Sequence, residues 1–180
     1  MKIKIVIFAF LVCVFSGCRE NPGIPLGAWD ASEVESATGK FKLEKLDDRY
    51  KLLFLGYTHC PTICSPGTLN LDRTAMALGP LSAKVHFLFL SIDPERDSPE
   101  VLAAFQKRLD AKHVMFLRPA GSIDGLLKEL GYIKRPGNSG TIDHSPFLYL
   151  ISPKNEILNA FPVSTTPARL AEEVRSRIQI

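Results

Sequence analysis

Two apolar runs with a helical pattern between them constrain the fold of this chain most strongly. The first run is Leu52–Leu55, and the second is Val85–Ile92, which is almost wholly apolar. Continuous apolar runs are typical of parallel strands that are buried on both faces of a sheet. Between them, Pro66–Leu78 follows a helical pattern that ends at Gly79-Pro80. The order of strand, helix and strand therefore predicts an α/β domain.

The remainder of the chain continues this alternation and then adds an antiparallel pair. Asp97 or Ser98 can cap a helix that has Pro99 in its first turn. The later elements predicted are a strand at Val114–Leu117, a helix at Ser122–Leu130, strands at Pro146–Ile151 and Glu156–Phe161, and a last helix from Thr166-Pro167. Parallel strands followed by a hairpin predict one mixed β-sheet with helices on both faces, which is a thioredoxin-like α/β fold.

Two cysteines lie where the first strand pattern gives way to the helical one. Cys60 and Cys64 are separated by three residues. The positive end of a helix stabilises a nearby thiolate and can lower its pKa toward about 3.5–7.5. If Cys60 opens the helix, Cys64 lies one turn later on the same face, a separation that suits both a metal site and a disulfide. The pair therefore predicts metal binding or redox chemistry, and a purely structural disulfide is disfavoured because so small a ring removes little chain entropy.

The N-terminus predicts export and a lipid anchor. Lys2 and Lys4 begin the chain, and Ile5–Phe15 is an apolar run of eleven residues. That run is shorter than the roughly 20 residues of a membrane-spanning helix and is typical of a secretory signal. The segment Phe15–Cys18 ends in small residues before a cysteine and resembles a bacterial lipobox, in which Cys18 is lipidated. An ordinary signal peptide or an uncleaved anchor are the alternatives, and both still export the chain.

These features predict three parts of the chain. Residues 1–17 are expected to be a lipoprotein-type signal peptide, 18–40 a tether rich in Gly, Pro, Ser and Glu, and 41–180 one globular domain. Removal of the signal lowers the net charge from +3 to +1. Because no cluster of lysine and arginine remains, we expect no nucleic-acid partner. The mature protein is expected on the extracytoplasmic, periplasmic side of a bacterial membrane, an oxidising compartment that favours redox-active cysteines.

Three motifs, in this order, resemble the Sco/SenC family. They are Leu55–Cys64, Ser91–Leu102, and Asp143–Ser145 ahead of Leu148–Leu150. The resemblance extends from about Phe41 to Ile180 and implies a thioredoxin-like domain that handles copper during assembly of the CuA centre of cytochrome c oxidase. Three departures are visible. Thr62-Ile63 replaces the usual acidic residue between the cysteines, Ser65-Pro66-Gly67 follows Cys64 where the family commonly has Pro and Thr, and Gly39–Tyr50 is shorter than the family's opening hairpin.

The resemblance also implies the residues of the site. Cys60, Cys64 and His144 would bind one copper ion per chain, as Cu(I) or Cu(II), and the two cysteines would also form a redox-active disulfide. Two thiolates and an imidazole suit Cu(I), whereas a structural zinc site needs four protein ligands. Asp93 would lie near the site and serve partner contact or electron transfer. Asp143 is either a hydrogen-bond partner of the His144 ring or a loop carboxylate.

Two functions remain open at this point. The first is a copper chaperone, a carrier without turnover, whose partner is the CuA-bearing subunit of the oxidase or another copper protein. The second is a membrane-tethered thiol–disulfide reductase that acts on cysteines of the oxidase or of another extracytoplasmic protein. A thiol peroxidase is disfavoured because Tyr57 stands where such an enzyme has a threonine. His144 favours the carrier, since disulfide exchange does not need a facing imidazole.

Overall fold

The computed structural model describes residues 23–46 and 48–178. Its strands are β1 Ile24–Pro25, β2 Glu33–Ser36, β3 Gly39–Lys42, β4 Tyr50–Gly56, β5 Val85–Ser91, β6 Val114–Pro119, β7 Lys134–Pro136, β8 Ile142–His144, β9 Phe147–Ile151 and β10 Glu156–Pro162. Its α-helices are α1 Gly27–Ala31, α2 Cys64–Leu78, α3 Pro99–Leu109, α4 Asp124–Glu129 and α5 Pro167–Ile178. Short 3₁₀ segments cover Leu43–Lys45, Gly79–Lys84 and Asn138–Gly140.

Eight of these strands form one mixed sheet in the order β1-β10-β9-β4-β5-β6-β2-β3. The central strand β5 pairs in parallel with β4 and β6, while β4 pairs antiparallel with β9. Every residue of β5 is buried, as its continuous apolar run predicts. The two remaining strands, β7 and β8, pair antiparallel in a separate hairpin. The predicted mixed, thioredoxin-like α/β fold is confirmed.

The helices bury the apolar side chains of the central strands. Phe54 of β4 packs edge-on against Phe89 of β5, and Phe89 in turn contacts Phe105 of α3. Gly67 of α2 lies directly against the Phe54 ring, because an added Cβ there would come within 2.6 Å of it. Because of this close approach, the start of α2 packs against the end of β4. The cysteines lie at this point. Among the described residues, no helix has the length and apolar character needed to cross a membrane.

The region predicted as a tether is folded in its described part. β1 pairs with β10, and β2 pairs with both β3 and β6, so these residues extend the sheet at both edges. Trp29 of α1 and Val34 of β2 are fully buried. The domain therefore begins well before residue 41, and the hairpin β2–β3 precedes the central strand β4. The predicted signal peptide and Cys18 lie outside the described residues.

Candidate metal centre

The two cysteines lie on the connection from β4 to α2. Because β4 ends at Gly56 and α2 begins at Cys64, only the second cysteine is helical. Cys60 does not open the helix: it lies in a loop, where its N–H donates to the Tyr57 carbonyl at 3.3 Å. Both are free thiols, and Cys64 is fully buried while Cys60 is partly exposed. The centre therefore has one inner and one outer sulfur.

A buried carboxylate anchors this loop to the end of β5. Asp97 is fully buried and accepts hydrogen bonds from the Thr58 N–H at 3.2 Å and the Thr58 hydroxyl at 2.6 Å. It also accepts one from the Ser91 hydroxyl at 2.6 Å. Of the two residues predicted to cap α3, Ser98 is the cap, since its hydroxyl accepts from the Val101 N–H at 3.4 Å. Asp97 instead belongs to the site, a role that its sequence context does not predict.

The hairpin β7–β8 places His144 against the cysteines. Nε2 of His144 lies 3.6 Å from Sγ of Cys64 and 4.0 Å from Sγ of Cys60. One ligand atom from each of the three residues lies within 4.8 Å of the other two. His144 comes about 80 residues after the cysteines, so only the antiparallel return of the chain through β8 brings the three together. The structure therefore assembles the predicted ligand set at one point.

The other nitrogen of the His144 ring contacts a tyrosine. Nδ1 lies 2.7 Å from the hydroxyl of Tyr132 and 3.3 Å from the Ser145 carbonyl. The Tyr132 hydroxyl also donates to the Leu55 carbonyl at 3.0 Å. Tyr132, and not Asp143, is therefore the hydrogen-bond partner of the His144 ring. Asp143 is exposed on β8, with its carboxylate beside Gly137. No pattern in the local sequence around Tyr132 predicts this contact.

The environments of the two thiols shift their pKa values in opposite directions. Burial raises the pKa of the Cys64 thiol far above its ordinary value. Burial also acts to raise the pKa of Cys60, but hydrogen bonds to the Cys60 sulfur from His144 and from the backbone of Thr62 and Ile63 outweigh it and lower the pKa to about 6. Cys60 is therefore the sulfur that carries negative charge at neutral pH.

Asp93 lies beside the site, and its carboxylate pairs with an arginine. Its buried carboxylate forms an ion pair with Nε of Arg96. Nη1 of Arg96 donates to the Gly140 carbonyl at 2.9 Å, and its guanidinium lies 5.7 Å from the centre of the Tyr57 ring. Gly140 belongs to the turn that precedes β8. Asp93 thus connects, through Arg96, to the hairpin that carries His144.

The remaining described histidines near carboxylates lie outside this cluster. His59 is exposed, with Nδ1 3.0 Å from the Thr58 hydroxyl and 3.9 Å from Asp97. His113 pairs with Asp72 of α2. Its backbone N–H donates to the Asp72 carboxylate at 2.8 Å, and its Nδ1 lies 2.9 Å from the same oxygen. Neither offers a ring nitrogen to the two sulfurs in this arrangement.

Comparison with known proteins agrees with the motifs and with the geometry. The family model described as SCO1/SenC matches residues 33–179. Because this match covers most of the chain, the protein belongs to the SCO1/SenC family.

The relatives show how far the likeness extends. SenC of Rhodobacter capsulatus is 31% identical over 130 residues, which is 68% of this chain and 58% of that protein. Mitochondrial SCO2 of Saccharomyces cerevisiae is 30% identical over 152 residues, which is 77% of this chain and 48% of that protein. The chain therefore spans about half the length of the curated relatives that it matches.

Solved structures support the same assignment. ScoI of Bradyrhizobium japonicum, solved with copper bound, has a TM-score of 0.70 and 26% identity, and the match covers 81% of this chain and 96% of that one. Apo Sco1 of Thermus thermophilus has a TM-score of 0.68 and 26% identity, with coverage of 89% and 95%.

Proposed function

We propose that this protein is a copper-binding chaperone that carries one copper ion between Cys60, Cys64 and His144. The observation that carries the proposal is the position of the His144 Nε2 atom, 3.6 Å and 4.0 Å from the two sulfurs. Thiolate sulfur and imidazole nitrogen are the soft and borderline ligands that Cu(I) prefers. The copper-bound ScoI of Bradyrhizobium japonicum, at 26% identity, supports the same cargo.

The spacing of the ligand atoms fits a small metal ion. Metal bonds of about 2.3 Å to sulfur and about 2.0 Å to nitrogen, at an angle of about 120°, separate the two ligand atoms by about 3.7 Å. The observed distances of His144 Nε2 to the cysteine sulfurs bracket this value. The three side chains can therefore close on an ion with small movements.

The exposure of the ligands indicates how copper reaches them. Cys64 is fully buried behind the loop, whereas Cys60 and His144 are partly exposed. Cys60 also carries the lowered pKa, so it is already a thiolate at neutral pH. Copper is therefore first bound by Cys60 and His144, and Cys64 then completes its coordination. Release to a partner follows the reverse order.

The partner and the location are further parts of the proposal. The family resemblance supports delivery of copper to the CuA-bearing subunit of cytochrome c oxidase, or to another extracytoplasmic copper protein. The signal-like N-terminus and the cysteine at position 18 support a location on the extracytoplasmic face of a bacterial membrane, with a lipid on Cys18.

A second candidate function is thiol–disulfide reduction, and the difference between the two thiols favours it. The Cys60 thiolate would attack a substrate disulfide, form a mixed disulfide and release one substrate thiolate. The Cys64 sulfur would then attack Cys60, lose its proton, and release the second substrate thiolate. The products are the reduced substrate and the Cys60–Cys64 disulfide.

Copper analysis of the purified full chain tests the carrier proposal. The reduced protein is expected to bind one copper ion per chain. Replacement of both Cys60 and Cys64 by serine is expected to abolish tight binding, because a single imidazole makes a poor Cu(I) site. The exposed Asp143→Asn variant serves as the control and is expected to bind as the wild type does. Tight binding by the double serine variant would overturn the proposal.

His144→Ala separates the two candidate functions. The imidazole is a ligand to copper, whereas in disulfide exchange it acts only by lowering the pKa of Cys60. Exchange by the variant and the wild type is therefore compared at an alkaline pH at which the Cys60 thiol is ionised in both. The variant is therefore expected to lose copper affinity while its thiols still oxidise to an intramolecular disulfide. If copper affinity is unchanged and reduction of a protein disulfide collapses, the reductase replaces the carrier.

A further inference from the structure

We propose that Tyr132 is a positioning residue that holds His144 with its proton on Nδ1, so that Nε2 presents a lone pair to the metal. This inference deepens the proposed copper-binding function and rests on it. Tyr132 acts through His144 and not as a ligand. Its role follows from how its single hydroxyl proton is used.

The end of α4 turns Tyr132 into the core. Gly131 follows the helix with a φ of +62°, a left-handed conformation that glycine adopts easily. The Gly131 N–H donates to the Lys128 carbonyl at 3.0 Å, and the Tyr132 N–H donates to the Leu127 carbonyl at 2.8 Å. This helix termination directs the Tyr132 side chain inward, where it is 7% exposed.

The hydrogen bonds of the Tyr132 hydroxyl assign its proton. A phenol has one proton to donate and lone pairs to accept with. The Leu55 carbonyl, 3.0 Å away, can only accept, so the hydroxyl donates to it. The contact of 2.7 Å to His144 must then run in the other direction, from Nδ1–H to the tyrosine oxygen. The carbonyl of Ser145, 3.3 Å from Nδ1, also can only accept and agrees with this assignment.

The assignment of a proton to Nδ1 determines the state of Nε2. In a neutral imidazole one nitrogen carries the proton and the other carries a free lone pair. With Nδ1 protonated, Nε2 is the nitrogen that gives its lone pair to the metal, and it lies 3.6 Å from the Cys64 sulfur. A proton that Nε2 donates to the Cys60 sulfur is the one that copper displaces on binding. The opposite tautomer would direct an N–H at the space that the metal needs. The tyrosine therefore selects the tautomer that can bind copper.

Ring contacts hold the imidazole in the same orientation. The Tyr132 and His144 rings are stacked, with centroids 6.0 Å apart and planes at 21°. Tyr57 contacts the imidazole edge-on from another side, with centroids 5.7 Å apart. Because Leu55 belongs to β4, the Tyr132 hydroxyl also ties the histidine to the strand that leads into the cysteine loop. Hydrogen-bond partners of this kind commonly contribute 10–100-fold to metal affinity.

Tyr132→Phe tests the inference, because it keeps the ring and removes only the hydroxyl. We expect its affinity for Cu(I) alone, measured by competition with a chelator, to fall about 10–100-fold. Tyr50→Phe is the matched control: it removes a hydroxyl that donates to the Arg177 carbonyl at 3.0 Å, at the opposite end of β4. The control is expected to bind Cu(I) as the wild type does.

Nitrogen-15 NMR of the metal-free, reduced protein supplies a readout that a purely structural role would not move. In the wild type the Nδ1 of His144 is expected to carry a proton, and in Tyr132→Phe this preference is expected to be lost. A wild-type protein whose Nδ1 carries no proton overturns the inference without any variant. Loss of affinity with an unchanged tautomer, or a changed tautomer with full affinity, also overturns it. Failure of the wild type to bind copper would refute the proposed function, while the tautomer result would stand by itself.

Discussion

A Cβ atom added to Gly56 would lie 2.9 Å from the sulfur of Cys64. The last residue of β4 therefore leaves the space that the inner sulfur of the site occupies. The rings of Phe89 and Phe54 close the same space, at 3.1 Å and 3.2 Å from the added atom. Glycine is required here for room next to the metal centre.

Gly56→Ala is accordingly expected to displace the Cys64 sulfur and to weaken copper binding. Overpacking of a filled core also typically costs about 1–3 kcal/mol of folding free energy. Copper competition and thermal unfolding measure the two effects. Gly121→Ala is the control, because no described atom lies within 4 Å of a Cβ added there. Wild-type copper affinity in Gly56→Ala would show that the inner sulfur does not depend on this space.

Cys60 is expected to react with iodoacetamide at mildly acidic pH. Because its pKa is lowered to about 6, the alkylation rate of the reduced, metal-free protein should rise with pH around a midpoint near 6. The buried Cys64 thiol, whose pKa is raised, should stay unreactive at neutral pH. Mass spectrometry of the alkylated peptides identifies the modified sulfur. A midpoint near the ordinary thiol value of about 8.5 would contradict the expectation.

The same pKa makes folding stability depend on pH. Between about pH 6 and the ordinary thiol value of about 8.5, the unfolded chain holds more protons on Cys60 than the native protein does. The stabilising contribution of this thiolate therefore grows as the pH rises across that interval, and it is lost as the pH falls through 6. Denaturant unfolding of the wild type and of Cys60→Ser at several pH values should show a stability difference that increases with pH. A difference that does not vary with pH would contradict this sign.

Asp97→Asn is expected to destabilise the protein and loosen the cysteine loop. The carboxylate accepts from both the N–H and the hydroxyl of Thr58 and from the Ser91 hydroxyl, whereas an amide offers one acceptor atom and two unwanted donors. The loss of hydrogen bonds to a buried charge suggests a cost of about 2–3 kcal/mol. Thermal unfolding measures it. The exposed Asp110→Asn is the control, since its carboxylate forms a surface ion pair with Lys112 at 3.2 Å.

Cys18→Ser tests the proposed anchor. The full chain expressed in a bacterium is expected to partition with membranes into detergent and to begin, after processing, at a lipidated Cys18. The serine variant is expected to remain unprocessed at this site, because lipidation requires the thiol. Cys13→Ser is the control, since Cys13 lies within the predicted signal and should leave processing intact. A wild-type protein that starts at another residue and carries no lipid would refute the anchor.

Local sequence patterns are sufficient for the central strands and the long helices, and the family resemblance indicates the three residues that the structure brings together. The apolar run of β5 and the stop at Gly79 are local signals, and the motif around Cys60 and Cys64 reflects a connection between neighbouring elements. By contrast, Trp29 and Val34 lie in elements of five and four residues, which are too short to show periodicity. Their glycine- and proline-containing surroundings therefore suggested a tether.

The polar contacts of the site cannot be predicted from the sequence, for a different reason. The carboxylate of Asp97 contacts Thr58, which is 39 residues earlier, and the hydroxyl of Tyr132 contacts His144, which is 12 residues later. An aspartate just before Ser98 and Pro99 is equally consistent with a helix cap. A tyrosine that follows a helix-ending glycine is equally consistent with an ordinary core position. Only the packed sheet determines which backbone and side-chain groups these residues meet.

Arg96→Met is expected to loosen the hairpin that carries His144. Arg96 joins the Asp93 carboxylate to the Gly140 carbonyl in the turn before β8, so its removal frees one side of that turn. We expect copper affinity to fall and amide hydrogen exchange in β8 to become faster. The pH midpoint of Cys60 alkylation should rise, because the hydrogen bond from His144 helps to lower the pKa of Cys60. Arg175→Met is the matched control, because Arg175 donates to the Ala77 carbonyl at 3.0 Å and so joins α5 to α2. Unchanged exchange in β8 together with unchanged copper affinity would show that Asp93 and Arg96 do not position the histidine.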